Sequence, residues 1–498
     1  MQPASHTAWP DTPLRERLAW VRRFRAALVD HADDLVRSTA RDTHKPEHEA
    51  LTADLLPLLA ACRWCERRAA RVLRDRPLPG ARPLWMLGTS SRLRRAPVGR
   101  VAIIATWNYP VQLLGVQLLQ ALVAGNTVRV KPSEHAGPTQ NLLLDLAVAA
   151  GLPDDALTRT PATRDAGRTL LADDALDHVV FTGSTSVGRA IAETLAPRLI
   201  PSTLELSGRD SAFVLADADP ALAARVIWNA AISNGGQTCM APRRALVDER
   251  VLARFLRELA PLAASTRPRR LITPDAADRC FALATDAARA GARSLSGVFE
   301  PPGGPLIRPL AIADCPADAE LVAGDHFGPV LPVVPVASVD EGLAIHRACD
   351  QHLATSVFTR DRAAARALAP ALGASHVTIN DCIVPTAHPG AGLAGRRASG
   401  WGISRGEAGL LALTRPVVVS RTSRRLRTPT DPPDRRGLDA LRSVTRLLYN
   451  GSSPSGPGPA PSPHRASAGG PEPKHPGEPR PARPAPAPRP EHEQTTAP

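Results

Sequence analysis

The chain has 498 residues, 43% of them apolar and 3% aromatic, and its net charge is +13. This length and apolar content suffice for roughly three domains of ordinary size, which excludes a chain that is disordered throughout. No apolar run is long enough to cross a membrane and no basic stripe is interleaved with aromatic residues, so we expect neither a membrane span nor a nucleic-acid partner.

The seven cysteines are an odd, scattered set, and residues 1–10 do not form a signal peptide. These features predict a reducing compartment, the cytoplasm. Cys62 and Cys65 are spaced like half of a zinc site, but no second pair follows and both continue a helical pattern. We therefore predict a helix face and no metal site. Basic residues are almost all arginine, and the lysines in the sequence are Lys45, Lys131 and Lys474.

The N-terminal part is predicted to be helical. Thr12 is the expected N-cap, with Pro13 in the first turn and an apolar stripe that starts at Leu14. A second helix is predicted over 48–74. Prolines and a glycine then break the pattern, and 84–95 is predicted as a hairpin or an extended arm.

From Pro97 onward, short apolar runs alternate with helical patterns. Strands are predicted at 101–105, 127–130, 176–182, 202–206, 211–215 and 416–420, and helices at 111–124, 220–233 and in the stretch that ends at 150. This alternation predicts a parallel α/β sheet, whose ligands bind at the carboxyl ends of its strands. The polar turns 106–110, 131–134 and 183–188 are expected at that edge.

Beyond Arg421 the composition changes. We predict that 422–498 is mostly disordered, because 452–498 is dense in Pro, Ala, Gly and Ser. One helix interrupts this tail, and its apolar face contains Leu438, Leu441, Val444 and Leu448, with Asn450-Gly451 as the C-cap. We expect this face to dock on the body of the protein, with a partner or an anionic surface as alternatives.

Cys239 is the candidate nucleophile. It follows a glycine-marked turn at 234–238, where backbone N–H groups can stabilise an oxyanion. Glu205 stands in an otherwise apolar strand, which is unfavourable unless the carboxylate is paired or has a raised pKa, and either suits a general base. Asn108 offers a side-chain N–H at a strand end. Each residue also has a structural explanation, since buried cysteines and turn asparagines are common.

Two other strand ends suit a phosphate-containing ligand. Gly183 and Gly188 open a helix and could cradle phosphates, although such glycine pairs also occur in ordinary turns. Lys131 could neutralise a phosphate or donate to a ribose hydroxyl, and its alternative role is that of a surface lysine.

Together these segments resemble the aldehyde dehydrogenase superfamily over about 14–419. The resemblance rests on 106–110 (TWNYP), 124–126 (AGN), 130–134 (VKPSE), 181–184 (FTGS), 204–208 (LELSG), 236–242 (GQTCMAP) and 327–330 (FGPV). The separation of Glu205 from Cys239 also matches the family. The TWNYP form is most similar to the branch that acts on fatty or aromatic aldehydes.

The resemblance implies oxidation of an aldehyde to a carboxylic acid with NAD(P)⁺. The Cys239 thiolate would attack the aldehyde carbon to give a thiohemiacetal, whose oxyanion is held by Asn108 and the backbone N–H of Cys239. After hydride transfer, Glu205 would activate the water that hydrolyses the thioester.

The resemblance also assigns cofactor-binding residues. Lys131 and Glu134 would hold the adenosine ribose, and the charge of Glu134 favours NAD over NADP because it would repel a 2′-phosphate. Ser184 and the helix start between Gly183 and Gly188 would face the pyrophosphate. The other assigned residues are Thr106, Trp107, Ser133, Leu206, Asp325 and Phe327.

The implied fold is α/β and aldehyde-dehydrogenase-like, with two parallel-sheet domains, a small β oligomerisation arm and the disordered tail. The NAD(P)-binding domain would comprise 1–79 and 98–206, the catalytic cysteine domain 207–398, and the arm 80–97 and 399–421. Because the arm joins subunits in the family, we expect a homodimer or homotetramer.

Three features depart from the family pattern. Asp325 stands where the family usually has the Glu that binds the nicotinamide ribose, Ser207 replaces a glycine, and 264–304 is shortened. They motivate one alternative, a scaffold that binds cofactor without turnover. A CoA-acylating relative is a second alternative, which Glu205 opposes because such enzymes tend to lack the hydrolytic glutamate. Nucleic-acid binding by the arginine-rich tail is a third.

Overall fold

The structure is a computed structural model that describes residues 8–78, 86, 88–297, 299–324, 326–423 and 431–449. The chain forms two compact units, Met1–Arg427 and Thr428–Pro498. The stretch 452–498 and the predicted C-cap at Asn450-Gly451 lie outside the described residues. Within the described ranges, no helix is both long and apolar enough to cross a membrane.

A mostly parallel sheet of six described strands organises the N-terminal part of the first unit. Its order is Gly400–Trp401, Ser202–Leu206, His178–Gly183, Arg100–Ile104, Thr127–Lys131 and Leu157–Arg159. The first of these strands is antiparallel to its neighbour. The central strands are rich in Val and Ile because helices cover both faces of the sheet.

The helices around this six-stranded sheet supply most of its apolar cover. They are Leu14–Asp30, Ala32–Thr43, Leu56–Val72, Gln112–Ala124, Gly137–Ala149, Arg164–Leu171, Thr185–Leu195 and Gly406–Ala412. Trp20 and Phe24 of the first helix are fully buried and stack with ring centroids 5.2 Å apart. A π-helical turn, Ala50–Leu55, leads into Leu56–Val72. Cys62 and Cys65 are buried on that helix, which confirms the predicted helix face.

A second sheet of seven described strands carries the middle of the chain. Its order is Arg293–Ser294, Leu310–Ala313, Val330–Val336, Pro242–Asp248, Asp210–Val214, Ala354–Phe358 and His376–Ile379. The first strand is antiparallel to the second, and the others are parallel. Two apolar clusters cover its faces with the helices Pro220–Ile232, Glu249–Ser265, Pro274–Arg289, Glu320–Ala323, Val339–Arg347 and Arg362–Leu372.

The shorter elements connect these layers. They are the turns Trp9–Asp11, Glu47–Glu49, Ala196–Arg198, Ser233–Gly236 and Val384–Ala387, and the strand pairs Arg269–Arg270 with Leu306–Ile307 and Leu393–Ala394 with Ile403–Ser404. The second unit contains the helix Arg435–Tyr449.

A three-stranded antiparallel arm is formed by Arg76–Pro77, Thr89–Pro97 and Thr414–Thr422. Its two long strands pair along their full length, so the predicted arm segments 84–95 and 416–420 do meet where the structure describes them. Val418 and Val419 are 52% and 56% exposed on it.

The start of the second arm segment differs from the prediction at 399. Gly400 pairs with Glu205 in the six-stranded sheet, and the arm strand begins only at Thr414. A Cβ on Gly400 would lie 2.0 Å from the Leu204 carbonyl oxygen, so only glycine allows this close pairing. Other bounds shift by a few residues. Pro13, not Thr12, holds the N-cap position of the first helix, without a side-chain cap.

Candidate active site

The loop that carries Cys239 is built from backbone conformations that few residues tolerate. Asn234, Gly235 and Gly236 have successive φ values of 54°, 62° and 72°. Asn and Gly are the residue types that adopt this left-handed region most readily, which explains the sequence Asn-Gly-Gly. We call residues 234–242 the nucleophile loop. It leaves the helix Pro220–Ile232 and enters the central strand Pro242–Asp248.

Side chains inside the nucleophile loop fix its shape. The Gln237 side chain donates to the Asn234 carbonyl at 3.0 Å. Arg243 donates to the carbonyls of Gly236 at 2.7 Å and Thr238 at 2.6 Å. These bonds hold the main chain on both sides of Cys239, so the position of the thiol is determined by buried polar contacts.

The structure brings Asn108 to this loop. Its side-chain N–H₂ donates to the Gln237 carbonyl at 3.1 Å, and Thr106 Oγ1 donates to its side-chain oxygen at 3.2 Å. The Asn234 side chain donates to the Asn108 carbonyl at 2.8 Å. One of the two N–H donors of the Asn108 amide is therefore used by the loop.

An ion pair missed from the sequence supports the Asn108 turn. Lys45 Nζ lies 2.6 Å from Asp54 Oδ2 and donates to the Asn108 carbonyl at 2.8 Å. Asp54 Oδ1 accepts from the backbone N–H groups of Val111 and Gln112, both at 3.1 Å. Both charged side chains are almost fully buried. Breaking such a buried ion pair costs about 3–5 kcal/mol of stability. In the sequence, the rarity of lysine was the one feature that distinguished Lys45.

Glu205 occupies the buried end of Ser202–Leu206. Burial is the largest influence and raises the pKa of Glu205 above its usual range, although the Arg405 cation and the Gln117 amide act in the opposite direction. The Gln117 side chain lies 3.5 Å from Glu205 Oε1. A carboxylate with a raised pKa is a stronger base than an ordinary one, which suits general-base catalysis.

Arg405 is a second residue that sequence reasoning missed. It is 6% exposed, has φ 64°, and donates through Nη1 to the Thr386 carbonyl at 3.2 Å. Its Nε and Nη2 have no hydrogen-bond partner among the described residues. Because the chain is rich in arginine, nothing in the sequence distinguished Arg405 as a site residue.

The thiol of Cys239 differs from the other cysteines. Six are buried, whereas Cys239 is half-buried. Burial, followed by the charge of Glu205, raises the pKa of Cys239 to about 11, while Arg405 and Arg243 act to lower it. At neutral pH the resting group is therefore a thiol, and its proton must leave before it can attack a carbonyl.

A cavity of about 940 Å³ ends on Cys239 and Arg405. Its wall is largely apolar. The apolar lining includes Leu113, Val226, Trp228, Ile232, Met240, Leu262, Ile383, Val384 and Leu393. The polar lining residues include Thr238 beside the nucleophile and Arg225, His48 and Glu49. A chamber of this size and character suits a large apolar ligand with one reactive polar end.

The predicted cofactor residues lie at the carboxyl ends of neighbouring strands. Lys131 Nζ lies 2.6 Å from Glu134 Oε1. Burial opposes ionisation of Glu134, but the Lys131 hydrogen bond and charge outweigh it and lower the pKa of that carboxyl. Gln140, another missed residue, bonds to the Ser133 N–H at 2.7 Å and to the Thr106 carbonyl at 2.6 Å, and so ties two of these turns together.

The helix Thr185–Leu195 begins beside them. Ser184 is its N-cap and accepts from the Val187 N–H at 3.4 Å. Gly188 packs so closely on Leu206 that a Cβ would lie 2.6 Å from the leucine side chain. A cleft of about 400 Å³ at this helix start is lined by Ser184, Thr185, Ser186, Arg189, Arg209, Asp350, Gln351 and Ala398. Free N–H groups, hydroxyls and two arginines suit a pyrophosphate.

Aromatic rings join the two sheets near this edge. Trp107 contacts Phe327 edge-to-face at 6.0 Å between ring centroids, and the Arg243 guanidinium lies 5.0 Å from the centre of the Phe327 ring. A Cβ on Gly183, at the end of its strand, would lie 2.4 Å from the Phe181 ring. Asp325 lies outside the described residues.

Comparison with known proteins identifies this arrangement. The sequence profile of the aldehyde dehydrogenase family matches residues 2–419. The chain belongs to the aldehyde dehydrogenase family.

Relatives and solved structures agree with this assignment. A 4,4'-diapolycopene aldehyde oxidase from Methylomonas sp is 32% identical over 432 residues, which cover 85% of this chain and 80% of that protein. A 4,4'-diapolycopene-4,4'-dial dehydrogenase from Cytobacillus firmus is 29% identical over 414 residues, with 80% of this chain and 88% of that protein covered. The Mycobacterium tuberculosis aldehyde dehydrogenase complexed with NAD⁺ is similar with a TM-score of 0.77 at 26% identity, covering 83% and 87% of the two chains.

These likenesses confirm the predicted family and its α/β fold. As an aldehyde dehydrogenase family member, the protein is an NAD(P)-dependent aldehyde dehydrogenase.

Gly236→Ala is expected to inactivate the enzyme and destabilise its fold. A Cβ there would lie 2.3 Å from the Gly328 carbonyl carbon, which is backbone and cannot move aside. Gly291→Ala is the matched control, because Gly291 has φ 103° and nothing within 4 Å of its Cβ position. Thermal unfolding should show a loss of about 1–2 kcal/mol for the control from backbone strain alone, and a larger loss for Gly236→Ala. Equal losses would show that the packing of the nucleophile loop against Gly328 has no energetic role.

Arg405→Met is expected to slow alkylation of Cys239 by iodoacetamide. Removing the cation raises the pKa of the thiol further, so less thiolate is present at any pH below about 11, and the rate at pH 8 should fall roughly three- to tenfold. Arg225→Met removes an exposed arginine from the wall of the same cavity and should leave the rate within about twofold of wild type. The rate measured against pH checks this, and an unchanged profile for Arg405→Met would contradict it.

Proposed function

We propose that the protein oxidises a large apolar aldehyde to its carboxylic acid, with NAD⁺ favoured over NADP⁺, through a covalent intermediate on Cys239. The observation that carries the proposal is the apolar cavity of about 940 Å³ that ends on the thiol. Two of its relatives are named for diapolycopene aldehydes, which agrees with a long apolar substrate.

The first step is addition to the aldehyde. Cys239 loses its proton to solvent, and the thiolate sulfur forms a bond to the carbonyl carbon. The oxygen becomes an alkoxide. It receives the second N–H of the Asn108 amide and the backbone N–H of Cys239, while Arg405 places a positive charge at the same end of the cavity.

The second half of the reaction hydrolyses the thioester. A nicotinamide dinucleotide held by the strand-end residues would supply the hydride acceptor for the carbon bound to Cys239. Glu205 then takes a proton from a water molecule, the hydroxyl oxygen bonds to the acyl carbon, and the Cys239 sulfur leaves as a thiolate. The product carboxylate is released and the thiol is restored. A buried carboxyl group in this position supports hydrolysis over transfer to CoA.

The residues at the strand ends fit a dinucleotide. The Lys131 and Glu134 pair would hold ribose hydroxyls, since it offers a donor and an acceptor 2.6 Å apart. The cleft at Ser184 would take the pyrophosphate, and Trp107 and Phe327 would flank the nicotinamide. Glu134 is ionised and exposed, which disfavours the 2′-phosphate of NADP⁺.

We also propose a homodimer or homotetramer in the cytoplasm. The arm strand Thr414–Thr422 exposes Val418 and Val419 on an antiparallel sheet, a surface that a second subunit could cover.

Formation of NADH at 340 nm with short, long-chain apolar and aromatic aldehydes tests the proposal. We expect the highest kcat/KM for long apolar aldehydes, a preference for NAD⁺, and complete loss of turnover in Cys239→Ala. Cys315→Ala is the control, because Cys315 is a buried cysteine in the core of the seven-stranded sheet. Activity that persists in Cys239→Ala, or a preference for short polar aldehydes, would contradict the proposal.

Glu205→Gln should separate the two half-reactions. The isosteric amide cannot take a proton from water, so steady-state turnover should fall at least about 100-fold. Stopped-flow absorbance should still show a burst of NADH stoichiometric with enzyme, as the thioester accumulates. Glu407→Gln removes an exposed carboxylate and should behave like wild type. Normal steady-state turnover in Glu205→Gln would assign the base to another group.

A further inference from the structure

The second unit of the chain contains a capped helix. It spans Arg435–Tyr449, which is 15 residues. Asp434 caps its first turn, accepting from the Gly437 N–H at 2.8 Å through its side chain and from the Leu438 N–H at 2.9 Å through its carbonyl. A local cap of this kind favours a helix that begins at a defined residue.

The two faces of this helix differ sharply. Leu438, Leu441, Val444 and Leu448 recur every three or four residues and form one apolar stripe. The first three are 42%, 55% and 48% exposed, and the described helix has no buried residue. Such a stripe is unfavourable in water, so a partner is needed to cover it.

The other face and the approach to the helix are basic. Arg435, Arg442 and Arg446 lie opposite the apolar stripe, and Arg442 is paired with Asp439 at 3.2 Å. Over 421–446 the sequence carries eight arginines and three aspartates, with no lysine or glutamate. This combination of an apolar stripe and flanking arginines is typical of helices that lie in the interface of an anionic membrane.

We propose that the helix Arg435–Tyr449 binds the surface of an anionic lipid bilayer, with its apolar stripe among the acyl chains and its arginines at the headgroups. Charge favours an anionic bilayer over the body of the protein or a second copy of the chain. The whole chain carries +13, so neither its body nor a second copy offers a net negative surface. A nucleic acid would satisfy the arginines but leave the stripe exposed.

The proposal goes beyond the oxidation reaction and does not depend on it. If the substrate is the large apolar aldehyde proposed above, the same bilayer would also dissolve that substrate and raise its local concentration near the enzyme.

Co-sedimentation of the full-length protein with lipid vesicles tests this inference. One set is phosphatidylcholine alone, and the other contains phosphatidylcholine and phosphatidylglycerol in equal amounts. We expect binding to the second set only, weakening as salt is added. Leu441→Glu and Ser443→Glu change the charge equally on opposite faces of the helix. Leu441→Glu should bind at least about tenfold more weakly than Ser443→Glu, because it alone removes apolar surface from the stripe.

Four outcomes would overturn the proposal. They are no binding of the wild type at low salt, equal binding to both vesicle sets, equal effects of the two substitutions, and retention on duplex DNA without vesicle binding. Turnover of a short water-soluble aldehyde in each variant reports separately on the active site, so a failure here would leave the oxidation unaffected.

Discussion

The junction between the Asn108 turn and the nucleophile loop is the contact on which the active site depends. It joins the carboxyl edge of the six-stranded sheet to the segment that enters the seven-stranded sheet. Asn108 donates to Gln237, Asn234 donates back to Asn108, and the Lys45 ammonium donates to the same carbonyl. All of these groups are buried, so each partner lost leaves another polar atom unsatisfied. The site is therefore held by a network in which no member can be removed alone.

Burial makes negative charge unfavourable in this site, and it shifts the pKa values of the acidic groups there. Burial raises the pKa of both Cys239 and Glu205, and the charge of Glu205 raises the pKa of Cys239 further. Arg405 offsets part of this penalty at both groups, and Arg243 offsets part of it at Cys239. The site therefore disfavours two neighbouring anions.

The features that could be predicted from the sequence are local ones. Apolar runs predicted the central strands, and consecutive glycines predicted the turn before Cys239. A single carboxylate in an apolar strand indicated Glu205. Lys45, Gln140 and Arg405 could not be found this way, because each acts on residues far along the chain, and their roles depend on how the helices pack. The pairing of Gly400 could not be predicted for a related reason. A glycine-rich stretch gave no sign that Gly400 pairs with Glu205.

The distribution of lysine has a consequence for a protein that handles reactive carbonyl compounds. Aldehydes condense with uncharged primary amines to form Schiff bases, and guanidinium groups do so far less readily. Both lysines in the described residues, Lys45 and Lys131, have side chains that are 0% and 5% exposed and are held in ion pairs. The described surface is basic through arginine instead. The enzyme thus presents a positively charged exterior with little amine for its own substrate to modify.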